Sequence, residues 1–103
     1  MKFFHRANAK DADAILRSGF RDGAGYYMTP HRYSGVWLSD VPLDANEGAF
    51  GDTLLAVELK LTEDQLRKFE WFEEGKGYRE WLIPAALINA NATIRIIEDD
   101  WPD

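Results

Sequence analysis

Alternation of apolar and polar positions is clearest between Thr53 and Leu61, where Leu55, Val57, Leu59 and Leu61 recur at every second residue. Side chains two apart share one face of a strand, so this spacing predicts a β-strand over 53–61. The intervening Leu54, Ala56, Glu58 and Lys60 grade from apolar to charged, which gives the second face a wetter end. Shorter strand-like runs appear at 2–5, at Gly35 to Ser39, at Tyr78 to Ile83 and at Ala92 to Ile97. A helical period takes over at 9–18: Ala12, Ile15 and Leu16 fall on one face, Asn8 is placed as N-cap, Asp11 sits in the first turn, and Gly19 stands where a C′ glycine belongs. Thr62 and Gln65 match a capping box and open a second helix to about Phe69. Pro84 ends the 78–83 strand and suits the N1 position of a short helix.

The remaining stretches are connections. Residues 21–33 carry Gly23, Gly25 and Pro30 and read as loop, with a short extended piece at Tyr26-Tyr27-Met28. Residues 44–52, with Asn46, Gly48 and Gly51, read as a long loop, a length that often goes with function or mobility. Residues 73–77 form a turn. The order β-α-β-β-α-β-β indicates an α+β fold with a mixed or antiparallel sheet arrangement and two main helices. At 103 residues the expectation is a single domain over 1–103, with an acidic tail at 98–103.

Composition narrows the function classes. The net charge of −6 argues against a non-specific nucleic-acid binder, whose affinity comes from neutralising phosphates. Lys10, Arg17, Arg21, His31 and Arg32 leave a local basic patch open, and His31-Arg32 could contact a phosphate or be a solvated loop pair. The absence of cysteine excludes disulfides and thiolate–metal sites, and His5 and His31 fit no metal-ligand spacing, so no metal is expected. Lys2, His5 and Arg6 have no apolar run behind them, and no segment has the length of a membrane span; the expectation is a cytoplasmic protein without a membrane partner. Aromatics at 14%, four of them Trp, either fill a small core or line a stacking cleft. Tyr26, Tyr27 and Tyr33 could line a nucleotide cleft or cover a core edge. Trp71-Phe72, among Glu70, Glu73 and Glu74, could form a partner-binding knob or pack on the preceding helix.

No phosphate-binding glycine fingerprint or nucleophile elbow is present. What stands out is Glu80 in the apolar run Glu80-Trp81-Leu82-Ile83, because carboxylates in such runs are costly unless paired or used. On a strand it would share a face with Tyr78, opposite Trp81 and Ile83, and an ion pair with Arg95 would be the plain structural explanation.

Four segments in order carry a resemblance: Phe4-His5-Arg6-Ala7, Ala14-Ile15-Leu16-Arg17-Ser18-Gly19-Phe20, Gly35-Val36-Trp37-Leu38-Ser39-Asp40 and Glu80-Trp81-Leu82-Ile83-Pro84. Together they resemble the ADP-ribosyltransferase-like fold, in its branch with a His-Tyr-Glu triad, over about residues 3–97. The resemblance implies an NAD cleft in which His5 holds the ribose, an aromatic stacks on nicotinamide and Glu80 stabilises an oxocarbenium-like state. His5 and Glu80 are the implied catalytic residues; His5, Arg6, Trp37, Ser39 and Tyr33 are the candidate NAD contacts. Trp37 stands where that branch has tyrosine, and Tyr78 where arginine-modifying members have Gln or Glu. NAD would be substrate, for ADP-ribosyl transfer or glycohydrolysis. The alternative is a non-catalytic protein-interaction module on the same scaffold.

Overall fold

The computed structural model describes residues 1–25, 33–43 and 51–97. Seven strands are present: β1 (Lys2–Ala7), β2 (Gly23–Gly25), β3 (Tyr33–Ser39), β4 (Thr53–Leu59), β5 (Glu70–Trp71), β6 (Glu80–Ile83) and β7 (Ala92–Ile97). The helices are α1 (Ala9–Ser18), α2 (Glu63–Leu66) and α3 (Ala85–Asn91). Asn8 caps α1 by accepting a 2.8 Å hydrogen bond from the Asp11 N–H, and Gly19 ends it at φ 85°, where a Cβ would be strained. The capping box of Thr62 and Gln65 forms, but α2 lasts one turn and tightens into a 3-10 turn over Arg67–Phe69. Pro84 is the N-cap of α3 and offers no side-chain acceptor. Asp22 supplies one from a distance, its Oδ1 accepting from the Ala85 N–H at 2.7 Å.

All strand pairings are antiparallel, in the order β5-β6-β3-β1-β4-β7, with β2 paired to the start of β3. Of the two sheet arrangements expected, the antiparallel one is found, and the three helices include the short one expected after Pro84, while the second expected helix lasts one turn. The helices cover one face. Phe3, Val36, Leu38, Leu55, Val57, Leu59, Trp81 and Ile83 pack there against Ala12, Leu66, Ala85 and Ile88. Phe3 meets the edge of Trp81 with ring centroids 4.8 Å apart. Leu54 and Ala56, pointing the other way, are also buried, so β4 is covered on both faces from Leu54 to Val57.

The sheet is nearly two sheets. β1 and β4 pair at six consecutive positions, whereas β1 and β3 share a single register pair, Phe4 with Ser39. Beyond that pair the strands diverge, and a side chain closes the seam: His5 Nδ1 lies 2.7 Å from the Trp37 carbonyl oxygen. Near this opening Gly51, at φ 126°, lies so close to β1 that a Cβ would fall on the Ala7 backbone. The expected extended piece at 26–28, the tail at 98–103 and most of the 44–52 loop lie outside the described residues.

Candidate functional site

The split between β1 and β3 opens into a cleft of about 710 Å³. Its walls are the end of β1 (His5, Arg6, Ala7), α1 with the Gly19–Arg21 turn, and Gly35–Trp37 of β3. Each wall follows from local sequence chemistry. Gly19 lets the chain turn sharply after α1, which delivers Phe20 back onto the core. Phe20 is then held by Asn89 of α3, whose Oδ1 accepts from the Phe20 N–H at 2.8 Å while its Nδ2 donates to the Phe20 carbonyl at 3.0 Å. That clamp sets the Phe20 ring edge-on to His5, with centroids 5.2 Å apart.

His5 is the chemically distinctive group. Burial pushes its pKa below the ordinary imidazole value, and the bond to the Trp37 carbonyl only partly opposes this, so the ring is neutral at pH 7. A carbonyl can only accept, so the neutral ring carries its proton on Nδ1. Nε2 is then a lone-pair acceptor, and among the described residues nothing donates to it. The cleft thus offers a fixed acceptor suited to a hydroxyl, with Arg21 and Asp11 also along its walls, while the Arg6 side chain shares the opposite sheet face with Leu54. Arg6 Nε donates to the Leu43 carbonyl at 2.7 Å, which orients its guanidinium.

Glu80 is placed differently. Ser39 pairs with Phe4 on one side and Glu80 on the other, so these three share a sheet face and His5 lies on the opposite one. The strands of His5, Trp37 and Glu80 are neighbours in the order β1-β3-β6, yet the imidazole and the carboxylate are not brought together. Glu80 is largely covered and sits 3.3 Å from Lys76 Nζ, which also lies over the Tyr78 ring at 5.2 Å. The partner of Glu80 is therefore Lys76, four residues away, and not Arg95 on the far strand. Tyr78 lies in the bend before β6, not on the strand.

Trp37 joins the two regions. Its carbonyl meets His5, while its indole packs edge-on against Trp71 with centroids 5.4 Å apart, on the face of Glu80 and Leu82. Ser39 is buried and donates to the Val41 carbonyl at 2.6 Å, so its hydroxyl holds the turn after β3. The Tyr33 backbone begins β3 and pairs with Gly25. Trp71 is half-buried, but Phe72 beside it is 77% exposed. His31, Arg32, Tyr26 and Tyr27 lie outside the described residues. Sequence reasoning missed Phe20 and Asn89 as shapers of the cleft; the only trace of them was the glycine that turns the chain at 19. Among the described residues no group of three or more His, Asp or Glu side chains is arranged to hold a metal, and no helix is long and apolar enough to cross a membrane.

Compared with protein families, curated proteins and solved structures, the chain matches none.

Proposed function

We propose that this chain binds NAD or a related nucleotide in the split between β1 and β3. The observation that carries the reading is the neutral His5, its Nδ1 committed to the Trp37 carbonyl and its Nε2 open to the cleft. An acceptor fixed in this way suits a ribose hydroxyl, and Arg21 at the cleft wall suits a diphosphate. A ligand in the cleft meets His5 of β1 and the Gly35–Trp37 segment of β3. Within this reading the reaction is cleavage of the nicotinamide–ribose bond, with ADP-ribose passed to an acceptor or to water. A carboxylate beside the oxocarbenium-like centre stabilises the transition state more than the ground state, which is the role of Glu80. Glu80 takes that role only by leaving Lys76 and only if the reacting centre reaches the sheet face opposite His5.

The same ion pair favours a second reading, a non-catalytic protein-interaction module. In it Glu80 is a structural partner of Lys76, and the exposed Phe72 of the 72–78 turn meets a protein partner. Thermal-shift titration with NAD and with ADP-ribose tests the first reading, since a ligand of the native state raises Tm by mass action, about 2.7 kcal/mol at a hundred times Kd. A Tm unmoved at millimolar ligand contradicts it. Where binding is seen, NAD turnover abolished by Glu80→Gln with binding retained supports catalysis; turnover absent in the parent chain supports the module.

A further inference from the structure

Between β5 and β6 the chain makes a loop whose base is closed on both sides. Trp71 and Glu80 pair directly across the two strands. Next to them the Arg79 guanidinium donates to Glu70 at 2.8 and 2.9 Å and meets Glu63 at 2.7 Å, while the Arg79 N–H donates to Asp40 Oδ1 at 2.9 Å. Above this base the loop is thinly seated. Every residue of 72–77 is exposed except Lys76, whose side chain is only 13% exposed. Glycines stand on both sides of it: Gly75 is at φ 83°, and a Cβ on Gly75 or Gly77 would meet no atom within 4 Å. What seats Lys76 is charge. Its Nζ lies 3.3 Å from Glu80 Oε2 and 3.8 Å from Glu73 Oε2, over the Tyr78 ring at 5.2 Å. Glu80 is itself only 15% exposed. A lysine gives up rotamer freedom and hydration to sit in such a place, so the carboxylate at the end of its reach is what holds it.

We propose that Lys76 is an autoinhibitory cation: it occupies on Glu80 the place of a ligand's positive charge, and the loop lifts when such a charge replaces it. This rests on the reading of Glu80 as the carboxylate that meets the nicotinamide–ribose end of NAD. The fold supplies a way to let go. The Arg79 contacts lie at the base of the loop, so Lys76 can leave without parting β5 from β6 or moving the strand that carries Glu80. The two glycines give the backbone around Lys76 the freedom to swing. With Lys76 away, Glu80 stands beside Trp71, which packs on Trp37, and a carboxylate next to indole rings suits an organic cation. A neutral ligand cannot take that place well, because removing one partner of a covered ion pair leaves the other charge uncompensated.

The N-methylnicotinamidium ion, a flat cation with neither ribose nor phosphate, probes this contact without engaging the His5 cleft. Binding is followed by NMR of the Trp indole N–H groups. Lys76→Met should bind the ion about tenfold or more tightly than the parent chain, a difference that this titration resolves. Lys76→Arg, which keeps a cation in place, should behave like the parent, and Lys76→Met combined with Glu80→Gln should lose the gain. Neutral nicotinamide should show no gain, and amide exchange over 72–78 should be faster in Lys76→Met while that of β6 is unchanged. Equal affinity in parent and Lys76→Met, binding by neither, or a gain that survives Glu80→Gln or extends to neutral nicotinamide would each overturn the proposal. So would a Lys76→Met chain that fails to fold, since Lys76 would then be a structural anchor. Adding NAD to the same variants separates this contact from the cleft. A gain for the ion with His5 unmoved by NAD supports the Lys76 contact and removes the nucleotide site. NAD that moves His5, with an ion response indifferent to Lys76, removes the contact and leaves the site.

Discussion

Two side chains, His5 and Trp81, show most clearly how a few buried polar atoms shape this protein. His5 is buried neutral, with its pKa lowered chiefly by desolvation. The unfolded chain therefore binds a proton near the ordinary imidazole value, about 6.5, that the native state refuses until lower pH. The stability from neutral His5 is complete above that value and is lost as pH falls through the lowered one. Urea midpoints should drop between pH 7.5 and 5.5 in the parent chain and drop less in His5→Gln, whose amide can still donate to Trp37; equal drops would refute the assignment. Glu70 acts only in a more acid window, because the hydrogen bonds from Arg79 hold its carboxyl below the usual range. Trp81 is a different case: its ring is buried against Phe3, with the Arg79 guanidinium 4.8 Å from its centroid, but its Nε1–H finds no acceptor. An orphaned buried donor costs roughly 1–3 kcal/mol. Trp81→Phe should therefore change stability by no more than about 1 kcal/mol, while Trp81→Ala should cost about 3–5 kcal/mol; thermal or urea unfolding reads both. The oddity of Glu80 was visible in sequence. Its partner Lys76 was not, because a turn of unknown path separates them.

At the scale of elements, the strong periodic signals translated directly. The helix at 9–18 and the strand at 92–97 have the bounds their patterns imply, and the 53–61 strand loses only its last two residues, with Leu61 still packed on the core. What failed was short or local. β2 is three residues with two glycines and β5 is two residues, too little for any period to register. The second helix was read through to Phe69, but after one turn it tightens at Arg67. Asn89 is a long-range device of the same kind, since no local pattern marks an amide that clamps the backbone of residue 20. Asn89→Ala leaves both Phe20 backbone groups without that partner, so a loss of about 1–3 kcal/mol is expected. Released from the clamp, Phe20 should also cover His5 less well, so the imidazole pKa should move back toward its ordinary value. NMR titration of His5 in this variant checks the point, and an unmoved pKa would show that Phe20 does not depend on Asn89. Gly51→Ala should destabilise rather than stabilise, because φ 126° and the Ala7 backbone both oppose a Cβ.

At the scale of the molecule, the seven antiparallel strands among the described residues form a sheet whose middle, between β1 and β3, has one register pair and the His5–Trp37 bond. Sequence order implied that the strands of His5, Trp37 and Glu80 belong near one another, and they are indeed adjacent. It could not reveal that strand alternation would send His5 and Glu80 to opposite faces, because that depends on how Ser39 registers with its two neighbours. The split supports nucleotide binding more directly than it supports catalysis. The decisive measurement is long-range 1H–15N NMR of the His5 imidazole while NAD is added. Free protein should show a protonated Nδ1 and an unprotonated Nε2. Added NAD should shift Nε2, together with the amides of Phe20, Trp37 and Gly51 around the cleft. An imidazole and cleft amides that stay unmoved at saturating NAD would contradict a nucleotide site in the split.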